Sequence, residues 1–306
     1  MGHNPKNTPA IEQLNQFSRA TRDRLAHIEF TLMFKGSAVR ADLIDRFEIA
    51  PAQATKDLKA YRDLAPDNAF YDKVRRAHVR ATGFKPLFSF DTTRTLSTLT
   101  QGYGDGFSGR QPAPFACESR RNLNEPELDT VACLVEAIER KQVVQLEYVS
   151  LSSGRSEREF VPHSLVDNGL RWHVRGFDRA RNQFRDFVIT RIKRITPIMS
   201  EADRSELASE DRQWNRYVDL ILVPHPAITH KEAIELDYRM TNGSLKVEIR
   251  AATAGYLLRL WNVDCSESFS SKDAGCLLAL KNRDALYGVD NLSIAPGYNS
   301  TKENAC

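Results

Sequence analysis

With 306 residues, 41% of them hydrophobic and 27% charged, the chain has the composition of an ordinary soluble globular protein, long enough for two or three domains. No apolar run approaches the ~20 residues of a spanning helix, and the opening MGHNPKNTPA lacks the basic-then-apolar profile of a signal peptide. Five cysteines (Cys117, Cys133, Cys265, Cys276 and Cys306) are scattered with no C-x-x-C pair, which argues against a zinc site or disulfide framework and for a reducing cytoplasm.

The net charge of +3 is unevenly spread. Lys and Arg outnumber Asp and Glu by 14 to 10 in residues 1–80 and by 12 to 8 in residues 130–198, whereas acids lead by 16 to 12 in residues 199–306. Two basic blocks suit polyanions and the last block does not.

In chain order, Leu14, Phe17, Leu25, Ile28 and Leu32 predict helix within residues 11–34. A turn at Gly36 and an N-cap at Ser37 introduce a short helix presenting Val39, Leu43, Ile44 and Phe47. Pro51 then suits a first helical turn. Ala54, Leu58, Tyr61 and Leu64 repeat at helical spacing toward a core, leaving Gln53, Thr55, Lys56, Lys59 and Arg62 outward. NAFYDKVRRAHVRATGF predicts a hairpin carrying Lys73, Arg75, Arg76 and Arg80. This is the element order of a winged helix-turn-helix, whose second helix of the pair enters the major groove while the wing touches phosphates. Gln53 suits adenine, and Lys56 or Lys59 suits guanine or a phosphate. A plain three-helix bundle with a solvated face is the competing reading.

Residues 86–125 are rich in Gly, Pro, Ser and Thr and read as a connector, with room for a strand or short helix in FDTTRTLSTL. The glycine-rich GYGDGFSG within it reads as a flexible linker, since no strand precedes it and no phosphate-loop Lys follows. A helix is expected from about Pro126 to Lys141. Beyond it, alternating segments with turns at 152–154, 167–169 and 179–182 predict a small antiparallel sheet. Eight Lys or Arg crowd residues 171–195, RWHVRGFDRARNQFRDFVITRIKRI. Period-two alternation places Trp172 and Val174 on one face and Arg171, His173 and Arg175 on the other. Such arginines either grip a phosphate or carboxylate or form solvated salt bridges to Glu157, Glu159 and Asp186. Composition alone leaves both open.

VPHSLVDNG, RWHVRGFD and FRDFVITRI resemble the WYL domain of bacterial transcriptional regulators, especially those governing anti-phage defence operons. APAQATKDLKAYRDLAPDNAFYDK running into GFKPLF resembles their DNA-binding block, and the last hundred residues resemble their dimerisation extension. The resemblance implies an α+β multidomain protein: a winged helix-turn-helix (1–85), the connector (86–125), a small Sm- or SH3-like antiparallel β-barrel WYL domain (126–200) and an α/β dimerisation domain (201–306). It also implies a sensor surface for a nucleic-acid fragment or nucleotide-like ligand. The positions carrying it over are Tyr148, Ser150, His163, His173, Arg175, Arg185 and Arg191. The name-giving Trp-Tyr-Leu is Trp172-His173-Val174 here, so an imidazole replaces the phenol.

The C-terminal block alternates YVDLILVPHP, a helix-like run, LKVEIR and AGYLLRLWNV, a β–α–β–α unit able to pair across a two-fold axis. His225 and His230 lack further ligands, so no metal or cofactor is expected. No G-x-S-x-G, H-E-x-x-H or phosphate-loop motif is present, and no enzyme is expected. The expected protein is a cytoplasmic homodimeric repressor on a palindromic operator. An accessory nucleic-acid-binding subunit of a defence complex is the alternative.

Overall fold

The computed structural model describes residues 13–101, 123–269 and 275–298. GYGDGFSG, the opening ten residues, Cys117 and Cys306 lie outside them. Helix α1 runs over Arg19–Lys35, later than the apolar spacing suggested, because the Ser18 hydroxyl accepts the Thr21 N–H at 3.2 Å and caps it there. Gly36 ends it in the left-handed region at φ 73°. Ser37 is not an N-cap: with Ala38 it forms β1, paired to Val79 and His78, so a ladder claims the backbone expected to cap a helix. Helix α2 (Arg40–Phe47) starts instead from extended Val39.

Helix α3 (Pro51–Leu64) buries Ala54, Leu58 and Tyr61, and β2 (Ala69–Asp72) with β3 (Ala77–Arg80) forms the wing. The three strands lie in the order β1-β3-β2. Helix α1 is buried on two sides. Leu25, Ile28 and Leu32 pack under α2 and α3, while Phe30, Met33 and Phe34 enter a second core with Leu96 of α4 (Thr92–Gln101) and Val131, Leu134 and Val135 of α5 (Leu128–Arg140). An α-helix with apolar residues on two sides belongs between two cores. Part of the expected connector is therefore structural, and the DNA-binding and WYL segments share a core.

The WYL segment is a five-stranded antiparallel sheet: β4 (Gln142–Ser150), β5 (Gly154–Asp167), β6 (Trp172–Asp178), β7 (Gln183–Val188) and β8 (Ile192–Glu201), ordered β7-β6-β5-β4-β8. One face, with Leu146, Tyr148, Phe160, Val174 and Phe187, packs on α5. A short α6 (Arg212–Asn215) leads to the C-terminal unit. There β9 (Tyr217–Pro224), α7 (Lys231–Asp237), β10 (Leu245–Arg250), α8 (Ala254–Leu260), β11 (Val263–Asp264) and β12 (Leu278–Leu280) give a sheet ordered β10-β9-β12-β11. Helix α8 leans on the WYL sheet. Gly169, in the β5–β6 turn at φ 79°, could not carry a Cβ, which would sit 2.4 Å from Leu260. No helix among the described residues is long and apolar enough to cross a membrane.

Candidate nucleic-acid interface and effector face

On α3 the side chains of Thr55, Lys56, Lys59 and Arg62 are exposed, as period 3.6 requires once Ala54, Leu58 and Tyr61 face inward. Gln53 is half-buried and donates to Asp57 at 2.8 Å, while Asp57 is gripped by Arg24 at 2.6 Å. That ion pair pins α3 to α1, and Gln53 keeps its carbonyl oxygen and second amide proton for a base. In the wing, the Asp72 carboxylate accepts the N–H groups of Val74 (2.8 Å) and Arg75 (3.1 Å), a local turn that lifts the tip. Lys73, Arg75 and Arg76 are exposed there, and Val74 is 94% exposed.

Between α3 and the wing lies a groove of about 620 Å³. Among the described residues its charged lining is Arg40, Lys59, Arg62 and Arg76, with no carboxylate. A cleft of one sign concentrates field and attracts a polyanion. Of the eight DNA-directed residues, Thr55, Lys59, Arg62 and Arg76 line this groove, and seven of the eight are exposed.

This surface is braced from behind. Arg80 of β3 donates to the Met33 carbonyl at 2.7 Å and pairs with Glu136 of α5, which also holds Arg140 at 2.7 Å. Buried Glu29 accepts Tyr61 Oη (2.9 Å) and the N–H groups of Leu87 (2.9 Å) and Phe88 (2.8 Å), tying α3 to the chain that leads into α4. Burial pushes its carboxyl up to about 7 despite those donors.

The second basic region is arranged differently. In β6 and β7 the register pairs Arg175 with Asp186, Gly176 with Arg185 and Val174 with Phe187. Trp172 and Val174 do face the core, and His173 and Arg175 share the other face. Arg185, however, lies on Phe187's side and is exposed, so it does not converge with Arg175. Tyr148 is also away from that face: its ring sits 4.8 Å from Phe187 inside the core. Ser150 closes the β4–β5 hairpin, 3.2 Å from Ser152 Oγ.

Arg175 is not a solvated arginine. It is 6% exposed and grips Asp211 bidentately at 2.6 and 3.0 Å, with Asp186 at 3.0 Å. His163, the odd residue of a β5 bulge, lies 3.1 Å from Asp211 through Nε2. Although burial opposes it, these donors hold the Asp211 carboxyl well below the usual range. Tyr256 of α8 donates to Asp186 at 3.0 Å and lays its ring on His173, centroids 5.0 Å apart at 30°. Burial lowers the His173 pKa against the opposing pull of Asp186, and the Arg171 and Arg191 charges lower it too. Of the seven effector residues, the fold brings His163, His173 and Arg175 together, with Arg191 close by. Asp211 and Tyr256 complete the cluster and were not foreseen: both lie in the block whose acidity had set it aside.

Of the remaining cations in 171–195, Arg179 pairs with Glu206 (2.7 Å) and Glu159 (3.1 Å), and Arg194 lies 3.8–3.9 Å from Glu157 and Glu147. Arg181, Arg185 and Lys193 are exposed. In the C-terminal unit, His225 is buried against Asp264 at 3.1 Å, whereas His230 is exposed. No group of three or more His, Cys, Asp or Glu able to hold a metal occurs among the described residues.

Three family models match in succession: the BrxR transcriptional regulator winged helix-turn-helix domain over residues 20–101, the WYL domain over 129–197, and the BrxR C-terminal dimerization domain over 217–286. The chain is similar to the DNA-binding transcriptional repressor CapW of Escherichia coli strain KTE188, 32% identical over 87% of this chain and 90% of that one. It is similar to CapW of Pseudomonas aeruginosa (34% identical, 86% and 89%) and of Stenotrophomonas maltophilia (33%, 79% and 83%). A solved structure, proteasome accessory factor B/C (PafBC) of Arthrobacter aurescens, aligns with 77% of this chain at 17% identity and a TM-score of 0.24; the chain spans 44% of that protein. With three domain matches in the expected order and full-length relatives above 30% identity, the chain belongs to the CapW family of WYL-domain DNA-binding transcriptional repressors.

Proposed function

We propose that the protein is a cytoplasmic homodimeric repressor that holds a two-half-site operator of an anti-phage defence operon until an anionic, nucleotide-like effector engages its WYL face. The observation that carries the reading is the groove lined by Arg40, Thr55, Lys59, Arg62 and Arg76, with no carboxylate among its described lining residues, and with Lys56, Lys73 and Arg75 also exposed on α3 and the wing. Gln53 adds one half-buried amide for base reading. Two copies joined through the C-terminal unit would present two such surfaces, so half-sites should be spaced by about one helical turn or a multiple of it.

The effector reading rests on His173, Arg175 and Arg191, with His163 as support; Tyr148, Ser150 and Arg185 stand apart from that cluster and are weaker members. Effector binding would alter operator affinity by favouring one placement of the winged helices. The core shared by α1, α5 and the WYL sheet supports this, since it offers a packed route from the sensor face to the DNA-binding block. The protein acts by binding alone.

Footprinting on the DNA upstream of its own gene tests the reading. Protection of two half-sites by a 2:1 protein–DNA complex, weakened by the Lys56→Ala/Lys59→Ala double variant, is expected. Affinity no better than for random duplex at the same salt would reject it.

A further inference from the structure

On the effector face, Arg175 and His173 already have partners. Arg175's planar fork holds the two oxygens of Asp211, the geometry in which arginine grips a phosphate or carboxylate. Beside it, the His173 imidazole is covered by the Tyr256 ring, as a nucleobase would cover it. Neither covering group belongs to the WYL sheet: Asp211 precedes α6 and Tyr256 lies on α8. We propose that the C-terminal module occupies the WYL site with its own mimic of a nucleotide, Asp211 in the phosphate seat and Tyr256 in the base seat, and that a nucleotide-like effector acts by displacing them. This rests on the sensor reading above and adds how the site is kept shut and what opens it.

The electrostatics favour an effector with more charge than the group it replaces. With Asp211 withdrawn, Arg175 keeps Asp186 as its partner, and Arg171 and Arg191 remain within electrostatic reach of His173. A carboxylate brings one negative charge to that seat; a terminal phosphate brings nearly two. An aromatic base gains the stacking that Tyr256 gives up.

Displacement also has a mechanical consequence. Asp211 accepts the Trp214 N–H at 3.1 Å and so caps α6. The Trp214 carbonyl accepts from Arg250 at 2.6 Å, and Arg250 lies over the Trp214 ring at 4.5 Å. Losing the Asp211 contact loosens the joint by which the dimerisation unit is fixed to the sensor sheet. A ligand need only bind the opened state better to shift the population toward it.

Calorimetry on the full chain with 5′-phosphorylated tetrathymidylate tests the idea, with thymidine 5′-monophosphate as the arm that separates a strand end from a free nucleotide. Asp211→Asn keeps the side-chain shape and a capping oxygen but removes the charge; it should bind the tetranucleotide at least tenfold more tightly than wild type. Tyr256→Phe, which keeps the ring and loses the Asp186 bond, should gain about threefold and covers the case in which Asp211→Asn fails to fold. Arg175→Ala introduced into either variant should erase the gain, which places the binding on this face and not on the winged helix. If both variants bind within twofold of wild type while Arg171→Ala and Arg191→Ala weaken all of them, the effector face stands and self-occupancy is wrong. If no folded variant shows Arg175-dependent binding of either probe, both readings fall.

Discussion

The α3–wing surface and the WYL sheet face are built from the same kind of residue and treated in opposite ways. On α3 and the wing, Lys59, Arg62 and Arg76 stand in solvent and line a groove without acids among its described residues, and Lys56 and Lys73 are exposed as well. On β6, Arg175 is buried and held by two carboxylates. Exposed cations on a rigid helix are ready to meet a polyanion by diffusion, and their electrostatic attraction falls with salt. A buried cation paired to an internal acid offers nothing until the pair opens. The first surface is a standing invitation; the second is a latch.

The largest effect that should distinguish them is on stability. Arg175→Ala leaves Asp211 and Asp186 buried without their counter-charge and should cost about 3–5 kcal/mol. Lys59→Ala on α3 should stay within about 0.5 kcal/mol. Chemical denaturation of the two variants checks this, and equal midpoints would dissolve the contrast.

Next comes pH, where one buried acid behind each surface should pull in opposite directions. Glu29's carboxyl is raised to about 7, so the folded state holds its proton more tightly than the unfolded one. Its contribution is fully present below the ordinary Glu pKa and is lost as pH rises through about 7, on the order of 3 kcal/mol in all. Asp211 is lowered, so its contribution is present above the ordinary Asp pKa of ~4 and is lost as pH falls through its folded value. Amide exchange on α1 and α3 should therefore quicken from about pH 4.5 to 7 in excess of its intrinsic rise. Protection near β6 and α6 should instead decline on acidification. Glu29→Gln should flatten the first trend; an unchanged slope would remove Glu29 as its cause.

Operator affinity sharpens the comparison further. Lys56→Ala and Lys59→Ala should each lower the salt slope by about one if they meet phosphates, or cost about 1–3 kcal/mol if they meet bases. Titrations at several salt concentrations separate the two.

The smallest effect is expected at Arg185, which is exposed and on the opposite face from Arg175. Arg185→Ala should shift stability by less than about 0.5 kcal/mol and leave effector response within twofold. A lost response would return Arg185 to the site.

Periodicity made much of this architecture readable. Ala54, Leu58 and Tyr61 at helical spacing set which side of α3 is solvent, and with it Thr55, Lys56, Lys59 and Arg62. Alternation in RWHVRG put His173 and Arg175 on one face of β6, and the strands and helices of the C-terminal unit follow their apolar patterns. The second apolar stripe of α1 went unread because Phe30, Met33 and Phe34 serve a different core, and a helix with two buried sides has no single stripe to find.

What the sequence by itself determined, then, is local: which elements form, which side of each is apolar, and which surface of the DNA-binding block is basic. These follow from rules spanning a few residues, since the side-chain period of a helix or strand is set by its own backbone. Tertiary structure alone decided which charges meet. Arg175 lies 36 residues from Asp211, and Asp186 lies 70 from Tyr256. Nothing in the spacing of either pair marks them as partners. Whether an arginine is a free hand or a closed latch depends on which distant carboxylate the folded chain carries to it, and on how little water is left between them.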